Sequence, residues 1–88
     1  MVRNENFIKR KIGSGFAIVA TGEATKQFNG IISVNETGSF IWDQLEAPLT
    51  MEELTAKMTE QYGVDAATAA ADAEKFVEVL RSVGAVTD

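Results

Sequence analysis

Short apolar runs in the first part of the chain predict three β-strands, at Phe7–Ile12, 16–21 and 28–34. Gly13-Ser14-Gly15 separates the first two runs as a hairpin loop. The second run is apolar on both faces, which is typical of a central strand. Asn29-Gly30 predicts a bend or bulge early in the third run. We therefore expect an antiparallel meander with the second strand in the middle.

From residue 36 onward the apolar spacing changes to that of helices, which are predicted at 36–46, 51–62 and 66–83. Three polar starts support these bounds: Asn35 as an N-cap, Thr50 with Glu53 as a capping box, and Asp65 as an N-cap. The residues expected to face the core are Phe40, Ile41 and Leu45 with Trp42 as a further candidate, then Met51, Leu54, Met58 and Tyr62, then Ala69, Ala73, Phe76, Leu80 and Val83.

This order of elements predicts an α+β fold that is winged-helix-like, with a three-stranded antiparallel sheet followed by three helices. The 88 residues are expected to form one domain over positions 1–88. Pro48 is expected to end the first helix, and Gly63 and Gly84 follow the other two helices.

The composition argues against most catalytic and metal chemistry. The chain has no cysteine and no histidine, so thiolate or imidazole zinc sites, Cys/His pairs and Ser-His-Asp triads cannot form within it. We expect no catalytic residue, no metal and no cofactor. No apolar run approaches the roughly 20 residues that span a bilayer, and no apolar signal core follows the N-terminus. The sequence therefore predicts a soluble, cytoplasmic protein without a membrane partner.

The charge distribution argues against nucleic acid as a partner. Residues 1–42 hold five basic and three acidic side chains, net +2, whereas residues 43–88 hold three basic and ten acidic ones, net −7. DNA is bound mainly through Lys and Arg on its phosphates, and a helical half of this charge repels them. Lys9-Arg10-Lys11 is the basic cluster of the chain, and protection of an edge strand explains it better than a nucleic-acid contact.

The motifs of the chain occur in an order that resembles the PqqD-like family. They are Val34-Asn35-Glu36-Thr37-Gly38-Ser39-Phe40-Ile41-Trp42, Leu49-Thr50-Met51-Glu52-Glu53-Leu54, Tyr62-Gly63-Val64-Asp65, and Ala71-Asp72-Ala73 with Phe76, Leu80 and Gly84. The family is named for the pyrroloquinoline quinone biosynthesis protein D. It supplies the RiPP recognition element, a peptide-binding domain of pathways for ribosomally made, post-translationally modified peptides. The resemblance extends over about residues 16–86.

The resemblance implies that the leader segment of a precursor peptide adds as a fourth strand to the edge of the third strand. The third helix would wall the groove for its side chains, and the protein would present the precursor to a modifying enzyme such as a radical SAM protein. Nothing in the motifs points to a pyrroloquinoline quinone precursor. Carried onto this chain, the peptide-binding residues are Phe28, Gly30, Ile31, Ile32, Ser33, Asp72, Lys75, Phe76 and Val79.

The side chains of the third strand can point in two ways. Either Ile31 and Ser33 or Ile32 and Val34 face the core. We expect the second pair to do so, because Val34 enters the helix junction. The rival functions are a winged-helix regulator that binds DNA and an assembly protein that pairs with itself through the open edge. The protein itself is expected to be a monomer or a weak dimer.

Overall fold

The chain folds into an antiparallel sheet with three helices packed against one face. The computed structural model describes all residues from 1 to 88. A second, two-stranded sheet joins the two ends of the chain. In chain order the elements are β1 (Val2–Arg3), β2 (Phe7–Ile12), β3 (Gly15–Ala20), β4 (Ile31–Val34), α1 (Glu36–Gln44), α2 (Met51–Tyr62), α3 (Ala66–Ser82) and β5 (Val86–Thr87).

The main sheet has the order β2-β3-β4, so β3 is central and β4 is an edge. This agrees with the predicted meander. Phe7 lies opposite Ala20 in the first pair of strands, and Phe16 lies opposite Val34 in the second. Ile18 in the middle of β3 is completely buried, as the apolar character of both faces of this strand indicates.

The third strand is shorter than the sequence predicts. It begins at Ile31 and not at residue 28, because a 3-10 turn over Gly22–Lys26 continues into a bond from the Phe28 amide to the Ala24 carbonyl at 3.0 Å. The Phe28 ring stacks on Phe7 with 6.4 Å between ring centres. Phe28 therefore packs on the body of the protein, and Gly30 forms the bend that precedes the strand.

The helix starts predicted from the sequence are confirmed. The side chain of Asn35 accepts a 2.8 Å bond from the backbone amide of Gly38. Thr50 and Glu53 form the reciprocal capping box, and the Asp65 side chain caps α3. Each cap satisfies amides that the first turn of a helix leaves without partners. The predicted helix ends agree less well, since α1 ends at Gln44 and not at residue 46.

The core lies between the inner face of the sheet and all three helices. On α3 the fully buried positions are Ala69, Ala73, Val77 and Leu80. Val77 was not predicted, and Phe76 and Val83 are only half-buried. Tyr62 was predicted to face the core, but it is 40% exposed and packs edge-on against Phe40 at the end of α2. The remaining fully buried side chains of the helices are Ile41, Trp42, Leu45, Leu54 and Met58.

The sequence pattern did not reveal the small sheet that joins the chain ends. Val2 lies opposite Thr87 and Arg3 opposite Val86. Next to it, the amide of Asn4 donates to the Ala85 carbonyl at 2.8 Å. Two-residue strands are too short for any periodic signal, and their partners are at opposite ends of the sequence.

None of the helices is long and apolar enough to cross a membrane.

The cap bonds of Glu53 and Asp65 lead to the prediction that acid destabilises the protein. The bond from the Thr50 amide holds the pKa of Glu53 below its ordinary value of 4.5. In the same way, the bond from the Thr68 amide holds the pKa of Asp65 below 3.8. A carboxylate with a lowered pKa in the folded chain stabilises it above the pKa of the unfolded chain. That contribution is lost as the pH falls through the folded pKa.

Thermal melts followed by circular dichroism from about pH 7 to about pH 3 measure this effect. The difference in Tm between the wild type and Glu53→Gln or Asp65→Asn should shrink toward low pH. Glu74→Gln is the matched control, since Glu74 is exposed on α3. A wild type whose Tm falls no more than that of the two cap variants would contradict the prediction.

Candidate functional site

The hydrogen bonds of the sheet determine which backbone groups face the open edge of β4. A two-residue hairpin closes with a hydrogen-bonded pair, here Ile12 with Gly15. At the other end of this ladder, the Thr21 amide donates to the Asn6 carbonyl at 2.7 Å, so Asn6 and Thr21 are also a hydrogen-bonded pair. Bonded and non-bonded pairs alternate in an antiparallel ladder. The even-numbered residues of β3 therefore bond to β4.

Ile32 and Val34 lie opposite Ile18 and Phe16, so their amides and carbonyls bond to β3. The amides and carbonyls of Ile31 and Ser33 must then point to the open edge. An added strand thus finds two backbone donors and two backbone acceptors on β4. The edge extends no further as strand before Ile31, because Gly30 forms a bend and Asn29 lies outside the strand.

The side chains of β4 take the orientation that the sequence predicts. Val34 is buried and Ile32 is half-buried against the core, whereas Ile31 is 64% exposed and Ser33 is exposed. Ile32 and Val34 therefore face the helices, as expected. Since strand neighbours alternate, an added strand also sends every second side chain toward the helices.

A cavity of about 310 Å³ lies between α1 and α3 and reaches Asn35, where β4 passes into α1. We call it the groove. Its lining residues are the N-cap Asn35, then Thr37, Gly38 and Ile41 of α1, and Asp72, Lys75, Phe76 and Val79 of α3.

All four predicted positions of the third helix line the groove. They recur at the three- and four-residue spacing that aligns side chains along one side of a helix. Of the predicted strand residues, Ile31, Ile32 and Ser33 form β4, whereas Phe28 packs on Phe7 and Gly30 lies beneath the Phe28 ring. The four helix residues thus line the groove, which reaches the end of β4 at Asn35. The three strand residues form β4 but do not line the groove, and Phe28 and Gly30 belong to neither.

The groove combines an apolar interior with two unpaired charges. Ile41 is buried, Phe76 is half-buried and Val79 is 44% exposed. Asp72 and Lys75 are exposed and three residues apart on α3, yet neither belongs to any of the three ion pairs of the structure. The groove can therefore take up an apolar side chain while both charges remain free to bind polar groups beside it.

Gly38 determines how closely the walls of the groove approach each other. A Cβ atom at this position would lie 3.2 Å from the Phe76 ring and 3.2 Å from Cβ of Val34. Only a residue without a side chain fits there without displacing its neighbours. Gly38 and the other lining residues at α1 were not predicted from the sequence. A glycine in the first turn of a predicted helix was the one signal that could have indicated the close approach.

Lys9 holds α1 against the sheet. Its ammonium group donates to Ser39 Oγ at 2.6 Å and to Asp43 Oδ1 at 2.8 Å. It also lies 5.0 Å from the centre of the Phe16 ring. The Lys9 side chain is only 20% exposed and bound to α1, so edge protection, as predicted for Lys9-Arg10-Lys11, is left to the exposed Arg10 and Lys11. Lys9 thus helps to position the helix that forms one wall of the groove.

These features define a small α+β domain with an open strand edge beside a helical groove. Nowhere do three or more carboxylates come together in a cluster that could hold a metal ion. The sequence profile of the family of coenzyme PQQ synthesis protein D (PqqD) matches residues 17–86. The chain belongs to this family. A comparison with curated protein sequences gave no match.

A solved structure shares the fold over its whole length. It is described as "TbiB1 in Complex with the TbiA(beta) Leader Peptide", and its chain superposes with a TM-score of 0.75 at 21% sequence identity. The alignment covers 100% of both chains. At this identity the likeness establishes the α+β fold, with its three-stranded antiparallel sheet and three helices.

Replacing Lys9 by methionine should destabilise the protein. The variant keeps the length of the side chain but leaves the hydroxyl of the buried Ser39 without its donor and removes the ion pair with Asp43. We expect a loss of about 1–2 kcal/mol in the free energy of unfolding, measured by urea denaturation. Arg10→Met, next to it on the exposed side of β2, should change the free energy by less than about 0.5 kcal/mol. Equal effects of both substitutions would contradict the role of Lys9.

Replacing Gly38 by alanine should narrow the groove. Alanine favours a helix over glycine by up to about 1 kcal/mol, but here its methyl group meets Phe76 and Val34. We therefore expect a smaller gain than this in the free energy of unfolding, together with shifted NMR signals of the Phe76 ring. In a Phe76→Leu background the same substitution should recover more of the gain. A full gain with unshifted Phe76 signals would show that Gly38 does not set the width.

Proposed function

We propose that the protein is a non-catalytic RiPP recognition element that binds the leader segment of a ribosomally made precursor peptide. The leader adds as a fourth strand to β4. The observation that carries this proposal is that β4 has an open edge and that the groove begins at Asn35, directly after this strand, where side chains of an added strand could enter it. Membership of the PqqD family and the likeness to a protein solved with a leader peptide support it.

The length of β4 limits what the backbone can contribute to binding. Four hydrogen bonds through Ile31 and Ser33 contribute about 0.5–1.5 kcal/mol each, before the cost of ordering the peptide. One large apolar side chain buried in the groove adds about 1.5–3 kcal/mol. Together these contributions amount to about 3.5–9 kcal/mol, so a micromolar or high-nanomolar Kd requires that both lie near their upper limits. The groove therefore has to supply much of the specificity.

The chemistry of the groove indicates the kind of leader that fits. A large apolar residue would pack against Phe76 and Val79. Polar or charged neighbours of opposite sign would pair with the free groups of Asp72 and Lys75. A leader of this kind has an apolar residue between a basic and an acidic one on the side that faces the helices.

The bound precursor would be presented to a modifying enzyme such as a radical SAM protein, and the protein itself would perform no reaction. It would act in the cytoplasm, where precursor peptides are made, as a monomer or weak dimer. DNA binding is less favourable, because α2 and α3 carry Lys57, Lys75 and Arg81 among a larger number of acidic residues.

A leader peptide with single N-methylated residues tests the strand geometry directly. The probe is the leader of the precursor encoded beside this protein, with one backbone amide methylated at a time. Methylation of an amide that bonds to β4 should raise Kd roughly tenfold or more, because a hydrogen bond is lost and the methyl group clashes. Methylation of the intervening amides should change Kd little. NMR shifts should centre on Ile31, Ser33 and the groove residues of α3.

Two exposed valines provide a matched pair of protein variants for the same titration. Val79 in the groove is 44% exposed and Val64, between α2 and α3, is 38% exposed. Val79→Ser should weaken leader binding, and Val64→Ser should leave it unchanged. Binding without the two-residue period, or equal effects of both valine variants, would rule out strand addition beside the groove. Absence of binding at several hundred micromolar would rule out the proposed function.

A further inference from the structure

The outer face of the main sheet carries an apolar surface that neither the core nor the groove uses. Ile8 lies opposite Val19, and Val19 lies opposite Ile31, so these side chains form a row across all three strands. Ile12 extends the surface along β2. Ile12 and Ile31 are 55% and 64% exposed. None of the four residues packs against the core cluster. Exposed apolar surface of this kind commonly marks an interaction site.

The charge on this face differs from that of the rest of the protein. The strands β2, β3 and β4 contain no acidic residue, whereas the helices carry most of the acidic side chains. Because neighbouring residues of a strand alternate, Arg10 lies on the outer face, and Lys9 and Lys11 lie on the face of the helices. Lys9 is bound to Asp43. Arg10 and Lys11 are exposed and form no ion pair, and Arg10 lies between Ile8 and Ile12 on the outer face. The strands therefore give the outer face apolar side chains and one positive charge, on a protein of net charge −5.

We propose that this outer face docks the modifying enzyme, through an enzyme surface that is apolar at its centre and carries carboxylates opposite Arg10. The inference rests on the proposed function, because it assumes an enzyme partner. Complementary charge favours the encounter of such surfaces and fixes their register. The isoleucines supply the apolar area that is buried on contact.

The outer face is continuous with the edge that receives the leader. Ile31 belongs to β4, so an added strand would place its outward side chains beside Ile31 in the same surface. An enzyme docked on the outer face therefore contacts the protein and the bound leader at once. The enzyme should bind the leader-loaded protein more tightly than the empty protein, since the loaded face is one strand wider.

The structure argues against two other occupants of this face. A second copy packed face to face around a two-fold axis would bring the Arg10 side chains of both copies into one interface, where they repel. Nucleic acid would need a larger set of cations against its phosphates, and exposed isoleucines contribute nothing to such contacts. A protein surface with carboxylates satisfies both the apolar and the basic groups.

Two substitutions on β2, remote from the β4 edge and the groove, test the proposal. Arg10→Glu reverses the charge and Ile12→Ser removes an exposed apolar side chain. The full chain is titrated with the purified enzyme encoded beside the precursor, with and without leader. Each variant should weaken binding of the enzyme at least tenfold and leave the Kd of the leader within twofold. The effect of Arg10→Glu should diminish at high salt.

Lys57→Glu and Val64→Ser are the matched controls, since both residues are exposed on the helical side of the protein. They should leave enzyme binding unchanged. Wild-type binding of the enzyme by both β2 variants would overturn the proposal, as would a dimer of this chain that these variants dissociate. The titration without leader keeps the two hypotheses separate. Failure of the leader to bind would refute the function proposed above, while docking of the enzyme would still be measured.

Discussion

The site depends on the direct junction between β4 and α1. Strand and helix are separated by Asn35 alone, and the cap from Gly38 to this residue fixes the angle at which the helix leaves the sheet. The first turn of α1 then lies over Val34. Because Gly38 has no side chain, Phe76 of α3 can approach this turn closely. With a longer loop at this point, the strand edge and the groove would lie too far apart to bind one peptide together.

The two edges of the main sheet differ in how they are protected. Exposed edges invite pairing with other chains, and charged side chains commonly prevent it. On β2 the exposed Arg10 and Lys11 serve this purpose, whereas the sequence of β4 contains no charged residue. Its protection is limited to its length of four residues and the bend before it. This asymmetry is expected of a sheet in which one edge is kept open for a ligand.

Local interactions made much of the fold predictable, and tertiary contacts explain what was missed. The caps at Asn35, Thr50 and Asp65 involve neighbours within three residues, so the sequence indicates them directly. Phe28 was assigned to a strand because it is apolar, but its position is determined by packing on Phe7, which is distant in sequence. For the same reason the pattern could not show that Phe76 lines the groove while Val77 fills the core. The two halves of the candidate site followed from the family resemblance, and the α1 lining did not.

The shortness of β4 also has a kinetic consequence for the proposed function. With a Kd of about 1 µM and an association rate constant of about 10⁵–10⁷ M⁻¹ s⁻¹, a leader dissociates at roughly 0.1–10 s⁻¹. This range reaches the median turnover of enzymes, about 10 s⁻¹. Each further pair of strand hydrogen bonds would lengthen the bound state severalfold, since about 1.4 kcal/mol corresponds to a factor of ten. A four-residue edge beside a single groove therefore suits a protein that presents one precursor, releases it and accepts the next.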